Sequence, residues 1–291
     1  MSKFTAEEIY NSITDLYDVK GSFERWSEYR NRITDFMISK MEKNCSIAIL
    51  GVGESNDLDL RKLYDFSGKL TLVDKNVESI EKAVGKYGIC GGDKLNIVQA
   101  DFLGITKADY IDVIRICRND IVKMKNLFSP YITGPKFRRK LEEIITRVNS
   151  KDVDLGIDNH DYVICVGVHS QLFAQLQQIW KIMMEVARRN GADYPGVYKR
   201  ISEQNDYFMP RFNEAILDKT NKSAFIGVEV RENEAQMIPE GALQAYQDII
   251  EKVEKRDLVT WMDVWPYRDE LTYQMAIFFI NKNQYLMSTV N

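Results

Sequence analysis

Apolar residues recur along this chain in two periods, and the period switches several times. Near 46–51, 69–74, 95–99, 161–166 and 224–230 they form short, nearly continuous runs. Such runs suit strands covered on both faces. Near 57–66, 76–87, 171–189 and 239–255 they return every three or four positions, as on amphipathic helices. The alternation predicts an α/β fold, a doubly wound and mostly parallel sheet with right-handed crossovers. The last two runs, 258–265 and 272–280, are separated only by Pro266-Tyr267-Arg268-Asp269-Glu270. That connection is too short for a parallel crossover, so the pair must be an antiparallel hairpin. Seven strands are expected in all.

The remaining segments read as helical additions. Thr5-Ala6-Glu7-Glu8 is a capping box followed by Ile9, Ile13, Leu16 and Tyr17 at helical spacing. After Gly21 a second helix is predicted over 22–42, with Phe23, Trp26, Ile33, Phe36, Met37 and Met41 on one face. Residues 1–43 are too few to hold a core alone and are expected to cap the α/β domain, 44–291. Two insertions are expected within that domain. Residues 103–158 carry one helix with Ile114, Cys117, Ile121, Met124 and Phe128, and another with Phe137, Leu141, Ile144, Ile145 and Val148. Residues 192–222 carry a helix near 200–218.

Composition narrows the setting. The net charge of −4 argues against a nucleic-acid-coating surface. No apolar run approaches the roughly 18 to 20 residues that cross a bilayer, and the start lacks an apolar signal core. The four cysteines, Cys45, Cys90, Cys117 and Cys165, show no CxxC spacing and read as reduced thiols of a cytoplasmic protein. The two histidines, His160 and His169, have no ligand partner at metal-binding spacing, so no metal site is expected. Residues 109–150 hold nine basic side chains against five acidic ones, a local surplus that would favour an anionic acceptor.

Chemistry concentrates where strands end. The first run stops at Gly51-Val52-Gly53-Glu54-Ser55-Asn56-Asp57, and the second ends in Asp74-Lys75, with Asp74 lying 21 residues after Gly53. A glycine turn followed by an acid at that distance describes a nucleotide pocket at the carboxyl edge of a parallel sheet. A dinucleotide fingerprint would need a third glycine, and Ser55-Asn56 does not supply it. The third run leads into Asp101-Phe102, and the fourth into Gly167-Val168-His169-Ser170.

Taken with the terminal hairpin, this order of features resembles the class I S-adenosylmethionine-dependent methyltransferases, a Rossmann-like superfamily whose seven-stranded sheet ends in an antiparallel strand. The resemblance covers about residues 45–280. Gly51 and Gly53 match the first two glycines of the family's loop, Ser55 stands at the third, and Ile49 stands where a leading acid is usual. The resemblance implies that Gly51, Val52, Gly53 and Glu54 approach the methionyl part of the cofactor, with Asn56 and Asp57 adding polar contacts. It implies that Asp74, with Lys75 beside it, meets the ribose, that Asp101 and Phe102 meet the adenine, and that Gly167 lets backbone approach the ligand.

The implied activity is methyl transfer from S-adenosylmethionine, leaving S-adenosylhomocysteine, to a small-molecule or peptide acceptor. Transfer of an aminopropyl or aminobutyryl group, or cofactor binding without catalysis, remain the alternatives. A sulfonium methyl needs mainly a well-placed nucleophile. His169, after the fourth strand, is the candidate general base. Arg30, off the apolar stripe of its helix, is the candidate partner of the cofactor carboxylate, and Tyr267, Arg268 and Asp269 can reach an acceptor from the hairpin loop.

Overall fold

A computed structural model describes residues 4–14, 19–124, 133–186, 196–232, 239–254 and 258–282. These fall into two compact units, one built from 19–102, 153–170 and 209–291, the other from 1–18, 103–152 and 171–208.

The first unit holds the sheet. Its strands are β1 (Ser46–Leu50), β2 (Lys69–Asp74), β3 (Leu95–Gln99), β4 (His160–Val166), β5 (Thr220–Glu232), β6 (Val259–Trp265) and β7 (Tyr273–Asn281). They lie in the order β3-β2-β1-β4-β5-β7-β6. Strands β1 to β5 pair in parallel, and β7 runs antiparallel to both β5 and β6. Strand β6 therefore points the same way as β5, and six strands end at one carboxyl edge. The register sets Leu50 beside Val73 and Cys165, and Val166 beside Gly227, so these ends are level.

Both faces of the central strands are buried. Ile47, Ile49, Leu70, Leu72, Tyr162 and Ile164 join one hydrophobic cluster with Ile33, Met37, Leu60, Leu63 and Ile80 from the helices α3 (Ser27–Lys40), α4 (Leu60–Phe66) and α5 (Val77–Lys86). The alternating residues Ala48, Leu50, Val163, Cys165, Ala224 and Ile226 are buried too. This two-sided burial is why these strands read as continuous apolar runs. The helix α10 (Glu240–Lys252) packs on β5.

The expected single helix over 22–42 is two. A short α2 (Ser22–Arg25) stops at Trp26, whose φ of −90° and ψ of 6° break the helical path before α3 starts. The cause is tertiary: Trp26 Nε1 donates to the Tyr267 carbonyl at 3.2 Å, and its ring meets Trp265 edge-on with centroids 4.9 Å apart. Periodicity alone does not register one residue turned to serve a distant loop.

The second unit is helical: α1 (Ala6–Thr14), α6 (Lys107–Met124), α7 (Thr133–Asn149), α8 (Ala174–Val186) and the first half of α9 (Val197–Asp218). The capping box forms, with Thr5 N–H donating to Glu8 Oε2 at 2.5 Å and Glu8 N–H to Thr5 Oγ1 at 3.1 Å. Ile114, Cys117, Phe137, Leu141, Ile144, Ile145 and Val148 are buried, as their spacing predicts. The side chains of Ile121, Met124 and Phe128 lie outside the described residues, as do Leu16 and Tyr17. Part of the basic charge in 109–150 is paired within the unit. Asp109, 6% exposed, takes Arg147 at 2.6 Å and Lys140 at 3.3 Å, while Arg115 pairs with Asp112.

Candidate cofactor and acceptor site

The candidate site is built where β1 ends. Gly51 takes a φ of 67°, in the left-handed region. There a side chain is strained, and a Cβ would also overlap Val168 Cγ2 in the turn after β4. Glycine thus allows the turns after β1 and β4 to meet. Gly51 and Val52 both donate to the Val73 carbonyl, at 2.8 and 3.2 Å, which ties the turn to β2. Gly53 N–H then donates to Asp74 Oδ2 at 2.8 Å, and Asn76 N–H to Asp74 Oδ1 at 2.9 Å. The two predicted landmarks, glycine turn and strand-end acid, are in direct contact.

Ser55 adopts a φ of 49°. Its buried Oγ donates to the Leu58 carbonyl at 3.0 Å and its N–H to the Val52 carbonyl at 2.8 Å, so a hydroxyl holds a left-handed position where the resembling family has glycine. The Tyr87 hydroxyl lies 2.9 and 2.8 Å from the carbonyls of Ser55 and Leu58. Asn56 donates to Ser22 Oγ at 2.9 Å and accepts from Lys86 Nζ at 2.6 Å. Glu54 pairs with Lys82 at 3.4 Å and Lys86 at 3.7 Å.

Arg30 reaches this turn. It is 7% exposed, its Nη1 donates to the carbonyls of Phe23 and Asn56 at 2.7 and 2.9 Å, and its Cζ lies 4.0 Å from the Phe23 ring centre. Its position fits the expected neighbourhood of the cofactor, and part of its hydrogen-bonding capacity already braces the loop. Asp57 is half-buried, and burial pushes its carboxyl up to about 6 against the opposing pull of backbone N–H groups and Arg30.

Other expected residues are spread along the same edge. Lys75 and Asp101 are exposed, and the Lys75 carbonyl accepts from Gln99 Nε2 at 3.0 Å. Phe102 is half-buried against Phe212, with centroids 5.3 Å apart. Gly167 has a φ of 64°, and a Cβ there would meet Trp265 Cη2 at 4.0 Å.

His169 follows in a single 3-10 turn, His169–Gln171, with 0% exposure. Its Nε2 lies 2.9 Å from Asn213 Oδ1, and Asn213 Nδ2 donates to Asp248 Oδ2 at 2.9 Å, while His169 Nδ1 has no partner. Burial brings its pKa down to about 4. Geometry places this ring inside the packing between the β4 turn, α9 and α10.

One residue escaped the sequence reading. Glu229 lies on β5 just beyond the level of Val166 and Gly227, is 3% exposed, and accepts from Ser170 Oγ at 2.8 Å through Oε1, while Oε2 has no partner. The signal was a lone acid within the apolar run at 224–230. The hairpin loop is partly drawn in: Tyr267 is half-buried, and Asp269 pairs with Arg25 at 2.6 Å. A polar cavity of about 350 Å³ opens at the opposite, amino edge beside Lys69, Asn96 and His160. Thr71 and the Asp158 carbonyl hold the His160 ring nitrogens at 2.8 Å each, and no chemistry converges there. Among the described residues no three metal-ligating side chains cluster, and no helix is long and apolar enough to cross a membrane.

The fold is therefore a Rossmann-like α/β sheet with an antiparallel terminal strand, carrying a glycine turn and acid at its carboxyl edge. No family model and no curated protein matches the chain. Among solved structures it is similar to the N-methyltransferase NodS from Bradyrhizobium japonicum WM9 in complex with S-adenosyl-l-homocysteine, at 11% identity and a TM-score of 0.44, covering 93% of this chain and 97% of that one. It is also similar to a putative RNA methyltransferase, PH1948, from Pyrococcus horikoshii, at 12% identity and a TM-score of 0.42, covering 94% and 98%. A third is the magnesium protoporphyrin IX methyltransferase ChlM from Synechocystis PCC 6803 with bound SAM, at 7% identity and a TM-score of 0.40, covering 96% and 99%. At such identities the functional reading rests on the chain's own residues.

Proposed function

We propose that the carboxyl edge binds S-adenosylmethionine and that the protein is a methyltransferase. The observation that carries this reading is the glycine turn locked onto Asp74 through the Gly53 N–H, at the edge of a sheet closed by an antiparallel strand. The close approach of Gly51 to Val168 supports the fit, because it leaves backbone rather than side chain facing the edge between β1 and β4. In this reading Asp74 accepts from the ribose hydroxyls, Gly51, Val52, Gly53 and Glu54 line the methionyl part with Asn56, Asp57, Arg30 and Gly167, and Lys75, Asp101 and Phe102 border the nucleoside.

When bound, S-adenosylmethionine supplies a methyl group on a positively charged sulfur that a nucleophile can displace. The chain's part is orientation and desolvation. His169 has a positioning role here rather than that of base: a pKa near 4 leaves it a weak proton acceptor, and its ring is held by Asn213. The buried free thiols Cys45, Cys117 and Cys165 support a reducing, cytoplasmic setting.

Thermal unfolding with S-adenosylmethionine and S-adenosylhomocysteine tests the reading. Ligand at about 100 times its dissociation constant adds roughly 2.7 kcal/mol to stability. No shift with either compound refutes cofactor binding. Labelled donor separates methyl transfer, in which the label leaves from the methyl, from transfer of an aminobutyryl group out of the methionyl chain.

A further inference from the structure

Aromatic rings crowd the carboxyl edge where β4, β5 and β6 end. The Trp265 ring centre lies 4.9 Å from Trp26, 6.2 Å from Tyr29, 4.9 Å from Tyr267 and 6.1 Å from Tyr273. Trp26, Tyr29 and Trp265 are buried, whereas Tyr267 and Tyr273 are half-buried and bring the cluster to the surface. Gly167 opens space beside Trp265. Glu229 sits at the same edge, fixed by Ser170 through one oxygen only.

Three buried polar atoms of this cluster have no partner: Glu229 Oε2, the Tyr29 hydroxyl and Trp265 Nε1. Native interiors rarely leave such atoms unpaired, and several together mark a place for a ligand. Asp57 lies close enough for its charge to act on both Glu229 and Tyr29. Ring faces with a carboxylate among them attract cations. Two neighbouring acids repel carboxylates and phosphates, and a neutral hydroxyl would leave their charge uncompensated.

We propose that this cluster receives the acceptor as an amine, whose ammonium form docks beside the contacting Trp265 and Tyr267 rings, next to Glu229 Oε2, and whose nitrogen takes the methyl group. The inference rests on the methyl-transfer reading above and names its substrate class. The ammonium gives one proton to Glu229 Oε2. The freed nitrogen lone pair then forms the N–C bond as the C–S bond of the methylsulfonium donor breaks. That bond's electron pair stays on sulfur, which becomes a neutral thioether, and the positive charge ends on the methylated nitrogen. Burial, with the charge of Asp57 adding to it, holds the Glu229 carboxyl above its ordinary range, which suits a group that must accept a proton.

Two measurements on the full chain test this. In the first, tetramethylammonium chloride is titrated against a sodium chloride control, following tryptophan fluorescence. Saturable quenching is expected in the wild type, at least tenfold weaker in Glu229→Gln. In the second, S-adenosylhomocysteine release is followed with size-matched primary amines, phenols and carboxylic acids. Amines should be preferred, and Glu229→Gln should lose that turnover while its thermal shift with S-adenosylmethionine is unchanged. Turnover with phenols or acids but not amines, or no tetramethylammonium binding, overturns the inference while the cofactor shift still stands. Absence of the cofactor shift refutes the methyl-transfer reading, and this step with it.

Discussion

Gly53 and Asp74 are joined by a backbone-to-carboxylate hydrogen bond of 2.8 Å, so the strand-end acid shapes the glycine turn as well as facing the edge. Asp74→Ala removes both functions. A hydrogen bond to a charged group contributes about 1.5 to 3 kcal/mol, so calorimetry should find S-adenosylmethionine bound some ten- to a hundredfold more weakly. Asp74→Asn keeps an oxygen for the Gly53 N–H and should hold the turn, leaving a melting temperature nearer the wild type than that of Asp74→Ala. Unweakened cofactor binding in Asp74→Ala would remove Asp74 from the ribose role.

Gly51→Ala meets two obstacles, a left-handed backbone and the Val168 methyl. Together they should cost about 1 to 3 kcal/mol, read as a lowered urea midpoint. Adding Val168→Ala should recover the steric part only. Full recovery in the double variant would show that the backbone conformation carries no strain.

Asp57 opposes folding at neutral pH. Its folded pKa of about 6 exceeds the ordinary value of 3.8, so the folded chain holds this proton more tightly than the unfolded one. The stability it offers is complete below the ordinary value and is lost as pH rises through 6. Asp57→Asn should therefore raise stability at pH 8 by about 1 to 2 kcal/mol, allowing for partial exposure, and change it little at pH 4. Weakened cofactor binding in the same variant would mark a group kept for function at the expense of stability.

His169 works in the opposite direction. Its folded pKa, near 4, lies below the ordinary 6.5, so the unfolded chain binds the extra proton between those values. Stability is complete above 6.5 and falls as the solution is acidified through that range, by up to roughly 3 kcal/mol. His169→Gln should flatten this slope relative to the wild type in chemical unfolding at pH 4 to 7. Turnover titrating near pH 6.5 in the wild type, and losing that limb in His169→Gln, would restore the histidine as base.

The strands were legible from their apolar runs: β2, buried on both faces, and the edge strand β3, half-buried or exposed along its length, both have the boundaries those runs predict, and the short Pro266-Tyr267-Arg268-Asp269-Glu270 loop forced the hairpin. Glycine turn and acid were legible because φ above zero and a strand-end carboxylate each demand a residue type. What sequence could not convey depends on tertiary contact. Trp26 breaks its helix for a partner more than two hundred residues away. Glu229 looks like any strand acid until β4 brings Ser170 to it. His169 reads as a reactive base until Asn213 and Phe212, from another helix, enclose it.

Ser55 carries a kinetic consequence. Its hydroxyl, with the Tyr87 hydroxyl beside it, fastens the loop through bonds that need no ligand. A glycine in its place would lose the bond to the Leu58 carbonyl, keep those of the Tyr87 hydroxyl, and loosen the segment. A loop held in one shape by its own bonds makes association a single encounter step, so stopped-flow traces should show one exponential phase whose rate rises linearly with ligand concentration. Ser55→Gly should add a second, concentration-independent phase.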